Sequence, residues 1–191
     1  MGDQVSKTNL RATWDAAASG WAKWEHQFSS NLQGATNTLL DQANVLKGAR
    51  VLDLACGAGS QTLMAAERVG EGGSIVACDI SDEMLKHVRE NSDRAGLNNV
   101  ETLQSAAEDL PGTELLFDAA ISRLGLMLFP SPQNALSAIQ KVLKPGARMA
   151  ALVFTTPETN SFMARPMAIV LRHGGKSPPA PGQPGIFALG G

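Results

Sequence analysis

The chain has 191 residues, 43% hydrophobic and 18% charged, with 16 Lys+Arg against 18 Asp+Glu for a net charge of −2. That length suits one domain with a substantial core, and the near-neutral balance supplies no basic field for a phosphate backbone, which argues against a dedicated nucleic-acid binder. No apolar run approaches the ~20 residues that cross a bilayer, and the polar stretch from Met1 to Leu10 has no signal-peptide core, so a cytoplasmic chain is expected. The two cysteines, Cys56 and Cys78, have neither metal nor redox spacing, and no disulfide framework is expected.

Residues 8–29 predict a helix, with Trp14, Trp21 and Trp24 expected on one face. These tryptophans read chiefly as residues that dock the helix onto the core, with one of them free to face a pocket. Leu32, Leu39, Leu40, Ala43 and Leu46 predict a second, short helix over 30–46, stopped by Lys47 and Gly48. The rhythm then changes. Val51 to Ala55 predicts a buried strand that runs into Cys56-Gly57-Ala58-Gly59, and a helix follows from Ser60 to Val69, stopped by Gly70, Gly72 and Gly73. Ser74 to Asp79 is a second strand. Ser81 caps a helix reaching Ala95, with Asp82 and Glu83 in the first turn, where the dipole favours acids, and Gly96 at its end. Further strands are expected over Val100–Gln104, Phe117–Ser122 and Ala147–Phe154, with a helix from Pro132 to Leu143 before the last. Alternating strands and helices with short links predict an α/β doubly wound, mainly parallel sheet, its strands buried on both faces. Residues 160–172 predict one more helix, weakened by Pro166, and the stretch from His173 to Gly191 is so rich in Gly and Pro that it reads as a loop or a disordered tail.

Three segments carry chemistry. In Asp53-Leu54-Ala55-Cys56-Gly57-Ala58-Gly59, the glycines permit a tight turn and let a ligand approach the backbone, while the following helix offers free N–H groups. A dinucleotide fingerprint wants a third glycine where this chain has Thr62, which counts against a nicotinamide-dependent oxidoreductase. Asp79, at the end of the next strand, can accept both hydroxyls of an adenosine ribose, or merely cap the helix after it. The small residues of Ser105-Ala106-Ala107-Glu108-Asp109-Leu110-Pro111 can let an adenine ring lie flat, or form an ordinary acidic loop.

Together these segments resemble the class I S-adenosylmethionine-dependent methyltransferases, and most closely the branch typified by ubiquinone/menaquinone-biosynthesis C-methyltransferases. The resemblance runs from Arg50 to Phe154. It includes Val51 to Gly59, Ala77 to Leu85, Ala106 to Pro111 and the turn Val142-Leu143-Lys144-Pro145-Gly146-Ala147. It implies a Rossmann-like sheet in the order 3-2-1-4-5, a helical cap over 1–46, a cofactor-binding core over 47–154 and a helix with a Gly/Pro-rich end over 155–191. Carried over by position, Gly57, Ala58 and Gly59 would back the methionine and ribose, with Asp53 shaping the site. Asp79 would hold the ribose, Ile80 and Met84 would pack on the adenine, and Ala106, Ala107 and Glu108 would line its edge. Arg123 would form the floor under the methionine or face solvent as an ordinary charge.

The implied activity is methyl transfer from S-adenosylmethionine, leaving S-adenosylhomocysteine, to a small molecule. An apolar or aromatic acceptor fits Leu124, Leu126, Met127, Leu128 and Phe129 best. The donor is already activated, so the protein need not supply a nucleophile, and His26, His87 and His173 all read as surface histidines rather than a base. Family members usually continue past the fifth strand with a helix and an antiparallel hairpin, and this sequence stops before them. A non-catalytic cofactor-binding module or partner subunit therefore stands as the alternative, and a homodimer is open.

Overall fold

The computed structural model describes residues 7–112, 116–175, 177, 179 and 183–190. Five strands form one sheet in the order β3-β2-β1-β4-β5, every neighbouring pair parallel. They are β1 (Arg50–Leu54), β2 (Ser74–Asp79), β3 (Val100–Gln104), β4 (Phe117–Arg123) and β5 (Leu143–Leu152). The helices are α1 (Lys7–Gln42), α2 (Ser60–Val69), α3 (Asp82–Ala95), α4 (Pro132–Val142) and α5 (Ser161–His173). This is the Rossmann-like architecture and strand order the sequence implies.

The two faces of the sheet separate by the two-residue period of a strand. Val51, Ile75, Ala119 and Ile121 point one way, into a core closed by Ala65, Ala66 and Val69 of α2 and by Leu39 and Leu40 of α1. Leu52, Leu54, Val76 and Ala120 point the other way, against Ala135, Ile139 and Val142 of α4. Burial on both faces holds for β1, β2 and β4 but not for the edge strands β3 and β5, which are half exposed. Strand β5 begins earlier than the sequence suggests. Phe117 pairs with Leu143 and Ala119 with Arg148, so the segment with Pro145 and left-handed Gly146 bulges out of the ladder.

The expected break near residue 30 is absent. One continuous helix, α1, replaces the two predicted segments, and it ends at Gln42 rather than at Lys47 and Gly48. No proline interrupts the stretch, and a lone interior glycine such as Gly34 costs only about 1 kcal/mol. The chain leaves the helix through Asn44 at φ 58, a left-handed position that asparagine tolerates. Helix α5 accommodates Pro166 and has no fully buried residue. In the Gly/Pro-rich stretch, 183–190 is a loop that returns to the body. Gly185 N–H donates to the Met127 carbonyl at 3.0 Å, and the Phe187 and Phe154 rings lie 6.3 Å apart. Residues 176, 178, 180–182 and 191 of that stretch lie outside the described residues.

Leu40 is fully buried where the last turns of α1 meet the sheet. Leu40→Ala is expected to lower stability by about 2–5 kcal/mol in urea denaturation. A much smaller loss would mean that the end of α1 is not part of the core.

Candidate functional site

Parallel strands send all their outgoing loops to the same edge of the sheet, and there a cavity of about 360 Å³ opens. Its floor and one wall come from Ala55, Gly57 and Ala58 after β1, Asp79 and Ile80 after β2, Ser105 to Glu108 after β3, and Arg123 to Gly125 after β4. The opposite wall is α1. A second cavity of about 150 Å³ lies away from this edge, between Leu103, Leu110, Pro111 and Phe117.

The turn after β1 is held open by backbone geometry. Gly57 and Gly59 have φ of 57 and 100, and a Cβ at Gly59 would sit 3.2 Å from Val88 Cγ2 of α3. Two non-glycine residues, Ala55 (φ 51) and Leu124 (φ 61), also take left-handed conformations at the ends of the neighbouring strands β1 and β4. Such residues cost about 1–3 kcal/mol each and concentrate at functional sites. They meet at Gly125, where an added Cβ would lie 2.5 Å from Ala55 Cβ.

Asp79 braces this turn. One carboxylate oxygen accepts the Gly57 N–H at 3.0 Å and the other the Ser81 N–H at 2.9 Å. Ser81, not Asp79, is the side-chain cap of α3, accepting from Met84 N–H at 3.2 Å. A carboxylate has about four acceptor positions, so Asp79 keeps acceptor capacity on the cavity wall. Burial raises its pKa, against the pull of those backbone donors.

Asp53 lies beneath the cavity, fully buried, and does not line it. Thr62 Oγ1 donates to it at 2.6 Å and Gln61 Nε2 at 2.8 Å. Desolvation pushes its pKa up to about 6 despite those donors and Arg123. Thr62, which stands where a dinucleotide fold has its third glycine, thus has a task of its own. Gly59 likewise stays off the cavity wall. The remaining predicted residues, Gly57, Ala58, Asp79, Ile80, Met84, Ala106, Ala107, Glu108 and Arg123, all reach it.

Arg123 is not a solvent-facing charge. It donates to Thr36 Oγ1 of α1 at 2.9 Å and makes a short hydrogen bond to Ser60 Oγ at the start of α2. Beside it, Glu25 of α1 accepts the Ser60 N–H at 2.7 Å, and burial raises its pKa. Glu25 and Ser60 escaped the sequence reading, because an isolated acid on a helix carries no motif.

The tryptophans divide differently from expectation, and none is a fully buried docking residue. Trp14 and Trp21 both line the cavity, while Trp24 is 53% exposed and stands outside it. At 100° per residue a spacing of ten places Trp24 about 80° round from Trp14, whereas spacings of seven stay within about 20°. The true ladder is Trp14, Trp21 and Phe28, with ring centroids 6.2 and 5.2 Å apart. Phe154, Met163 and Ile186 close the far side. None of His26, His87 and His173 lines the cavity.

A family model of the ubiE/COQ5 methyltransferases matches residues 33–169. The chain belongs to that family. A ubiquinone/menaquinone biosynthesis C-methyltransferase UbiE from Cronobacter sakazakii is 40% identical over 119 residues, 62% of this chain and 47% of the relative. The chain thus spans about half the length of the curated relatives it matches. Among solved structures, a SAM-dependent methyltransferase from Aquifex aeolicus superposes with a TM-score of 0.59 at 24% identity, over 73% of this chain and 78% of that one. The [4+2]-cyclase SpnF superposes at 0.57 with 26% identity, over 61% and 43%. The family match covers the strand-end loops after β1, β2, β3 and β4 but begins inside α1, after the aromatic ladder.

The raised pKa of Asp53 has a testable sign. A carboxyl that holds its proton more tightly folded than unfolded stabilises the fold most below the unfolded pKa, and loses that contribution as pH rises through about 6. The stability of the parent relative to Asp53→Asn is expected to be greater at pH 5 than at pH 7 by about 1 kcal/mol. Urea denaturation of both proteins at both pH values measures this directly.

Proposed function

We propose that this chain binds S-adenosylmethionine in the crevice at the strand ends and takes part in transferring its methyl group to a small apolar or aromatic acceptor. The observation that carries this reading is the two-part wall. One part is glycine, small residues and a partly unused carboxylate, and the other is an aromatic ladder facing Phe154, Met163 and Ile186. A cavity of about 360 Å³ is large enough for a nucleoside-sized ligand.

When bound, the donor supplies a methyl group already activated on a sulfonium. The chain's own residues then bind, orient and exclude water. Asp79 would accept the ribose hydroxyls with its remaining lone pairs. Ile80 and Met84 would cover the adenine face, and Ala106, Ala107 and Glu108 its edge. Gly57 and Ala58 would back the methionine, and Arg123 would lie beneath it. Asp53 and Gly59 would act from below, keeping the turn in shape. Alignment of donor and acceptor can contribute about 7–11 kcal/mol in favourable cases. Trp14, Trp21 and Phe28 would supply that alignment for a flat or apolar acceptor, and the wall is too apolar to favour a charged one. The corresponding division is a cap over 1–46, a donor-binding core over 47–154 and an acceptor-side segment over 155–191.

A second reading, in which the chain holds the donor without transferring methyl, is favoured by the lack of a histidine base among the described residues that line the cavity. A thermal-shift series separates donor binding from transfer. S-adenosylhomocysteine at 100 times its dissociation constant adds about 2.7 kcal/mol, which for a chain of this size is a rise of roughly 5–11 °C. NAD should give no rise. A rise with NAD alone, or with neither ligand in a cooperative melt, would overturn the proposal. If Trp21→Ala keeps the rise with S-adenosylhomocysteine but loses label transfer from methyl-labelled donor to aromatic acceptors, the transfer reading stands. If the parent shows the rise and no transfer to any apolar or aromatic acceptor, the second reading replaces it.

A further inference from the structure

Helix α1 lies across the loops after β1 to β4 and is tied to each by at least one polar contact. Lys7 Nζ pairs with Asp109 after β3 at 2.5 Å, and Asp15 accepts Ser81 Oγ after β2 at 2.6 Å. Glu25 accepts the Ser60 N–H after β1, and Thr36 accepts from Arg123 at the end of β4. Burial along the helix is uneven. Between Lys7 and Ala35 only Ala18 is fully buried, whereas Thr36, Leu39, Leu40 and the following Ala43 are all within the core. The first part is held mainly by polar contacts and partly exposed rings, and the last by packing. Exposed ion pairs such as Lys7 with Asp109 are weak.

Between these parts the helix is least sturdy. The sequence from Ser29 to Thr38 contains Ser29, Ser30, Asn31, Gly34, Thr36, Asn37 and Thr38, all poorer helix formers than alanine. Ser30, Thr36 and Thr38 turn their hydroxyls back to the carbonyls of Gln27, Leu32 and Gly34, a pattern that weakens and bends helices. Gly34 has open space where a Cβ would be, so packing does not require a glycine there. Gly20, the other glycine of the helix, lies within the first part and not between the two.

We propose that residues 7–28 of α1 form a hinged lid on the crevice. The lid swings about Ser29–Ala35 while the turns from Thr36 onward stay in the core, and Lys7, Asp15 and Glu25 are its latches. Opening moves Trp14, Trp21 and Phe28 away from the strand ends and exposes Asp79 and the Gly57 turn. Closure over a bound ligand restores the aromatic wall. The ligand-dependent half of this proposal rests on the donor-binding reading above, and the hinge itself does not.

Hydrogen–deuterium exchange on the full chain tests both halves. In the ligand-free protein, amides 11–28 should exchange together and at least about tenfold faster than those of 38–42, with a step between Phe28 and Ala35. Gly34→Ala, which stiffens the helix without a clash, should slow exchange of 11–28 by about fivefold and leave 38–42 unchanged. Asp15→Ala should speed exchange of 11–28. A smooth gradient from Lys7 inward would indicate simple fraying and overturn the hinge. Equal rates in the two parts, or a Gly34→Ala variant that alters both parts equally or neither, would do the same. S-adenosylhomocysteine binding is measured separately by calorimetry. If the compound binds, it should slow 11–28 selectively, and binding without that slowing would overturn the lid. If it does not bind, the donor reading fails, while the ligand-free comparison still decides the hinge.

Discussion

The parallel pairing of β1 with both β2 and β4 is the constraint on which the rest of this molecule depends. Because these strands run the same way, the turns after them leave the sheet side by side. Because β1 is central, its turn faces neighbours in both directions. The left-handed residues Ala55 and Leu124, separated only by the missing side chain of Gly125, are the direct result. A buried sheet fixes where the loops begin, and the loops then have little freedom over where they go.

Electrostatics follow from that geometry. Two carboxyl groups, Asp53 and Asp79, are drawn into the low-dielectric end of β1 and β2, and each is satisfied differently. Asp79 is held by backbone N–H groups of the turns it braces and keeps a face on the cavity. Asp53 is sealed below by Thr62 and Gln61 from the first turn of α2. Arg123, the cation nearest Asp53, reaches in from β4 and binds hydroxyls rather than a carboxylate. Arg123, held by neutral hydroxyls, keeps its guanidinium on the cavity wall, while Asp53 stays sealed beneath it at some cost in stability.

Much of the core was legible in the sequence because one signal dominated each element. Short apolar runs ending in Gly or Asp marked β1 and β2, and Ser81 with Asp82 and Glu83 marked the start of α3. The order of alternating elements left few topologies to consider. Helix α1 was less legible. Its polar and small residues near position 30 look like a boundary, and in isolation they favour one, but packing of Leu39 and Leu40 at one end and latching at the other carry the helix through. The edge strands departed from expectation for a related reason, since a strand with one neighbour need not be apolar on both faces. Contacts such as Glu25 with Ser60 depend on how α1 crosses the sheet, which no local pattern encodes.

The most direct test of the claim that one edge of the sheet forms the ligand site is an amide and indole chemical-shift map on adding S-adenosylhomocysteine. The expected result is a set of large shifts at the Gly57, Ser81 and Ala107 amides, with the Trp14 and Trp21 indoles moving and the Trp24 indole unmoved. Shifts concentrated around Leu103 and Leu110 at the second cavity, or a Trp24 response without one at Gly57, would contradict it.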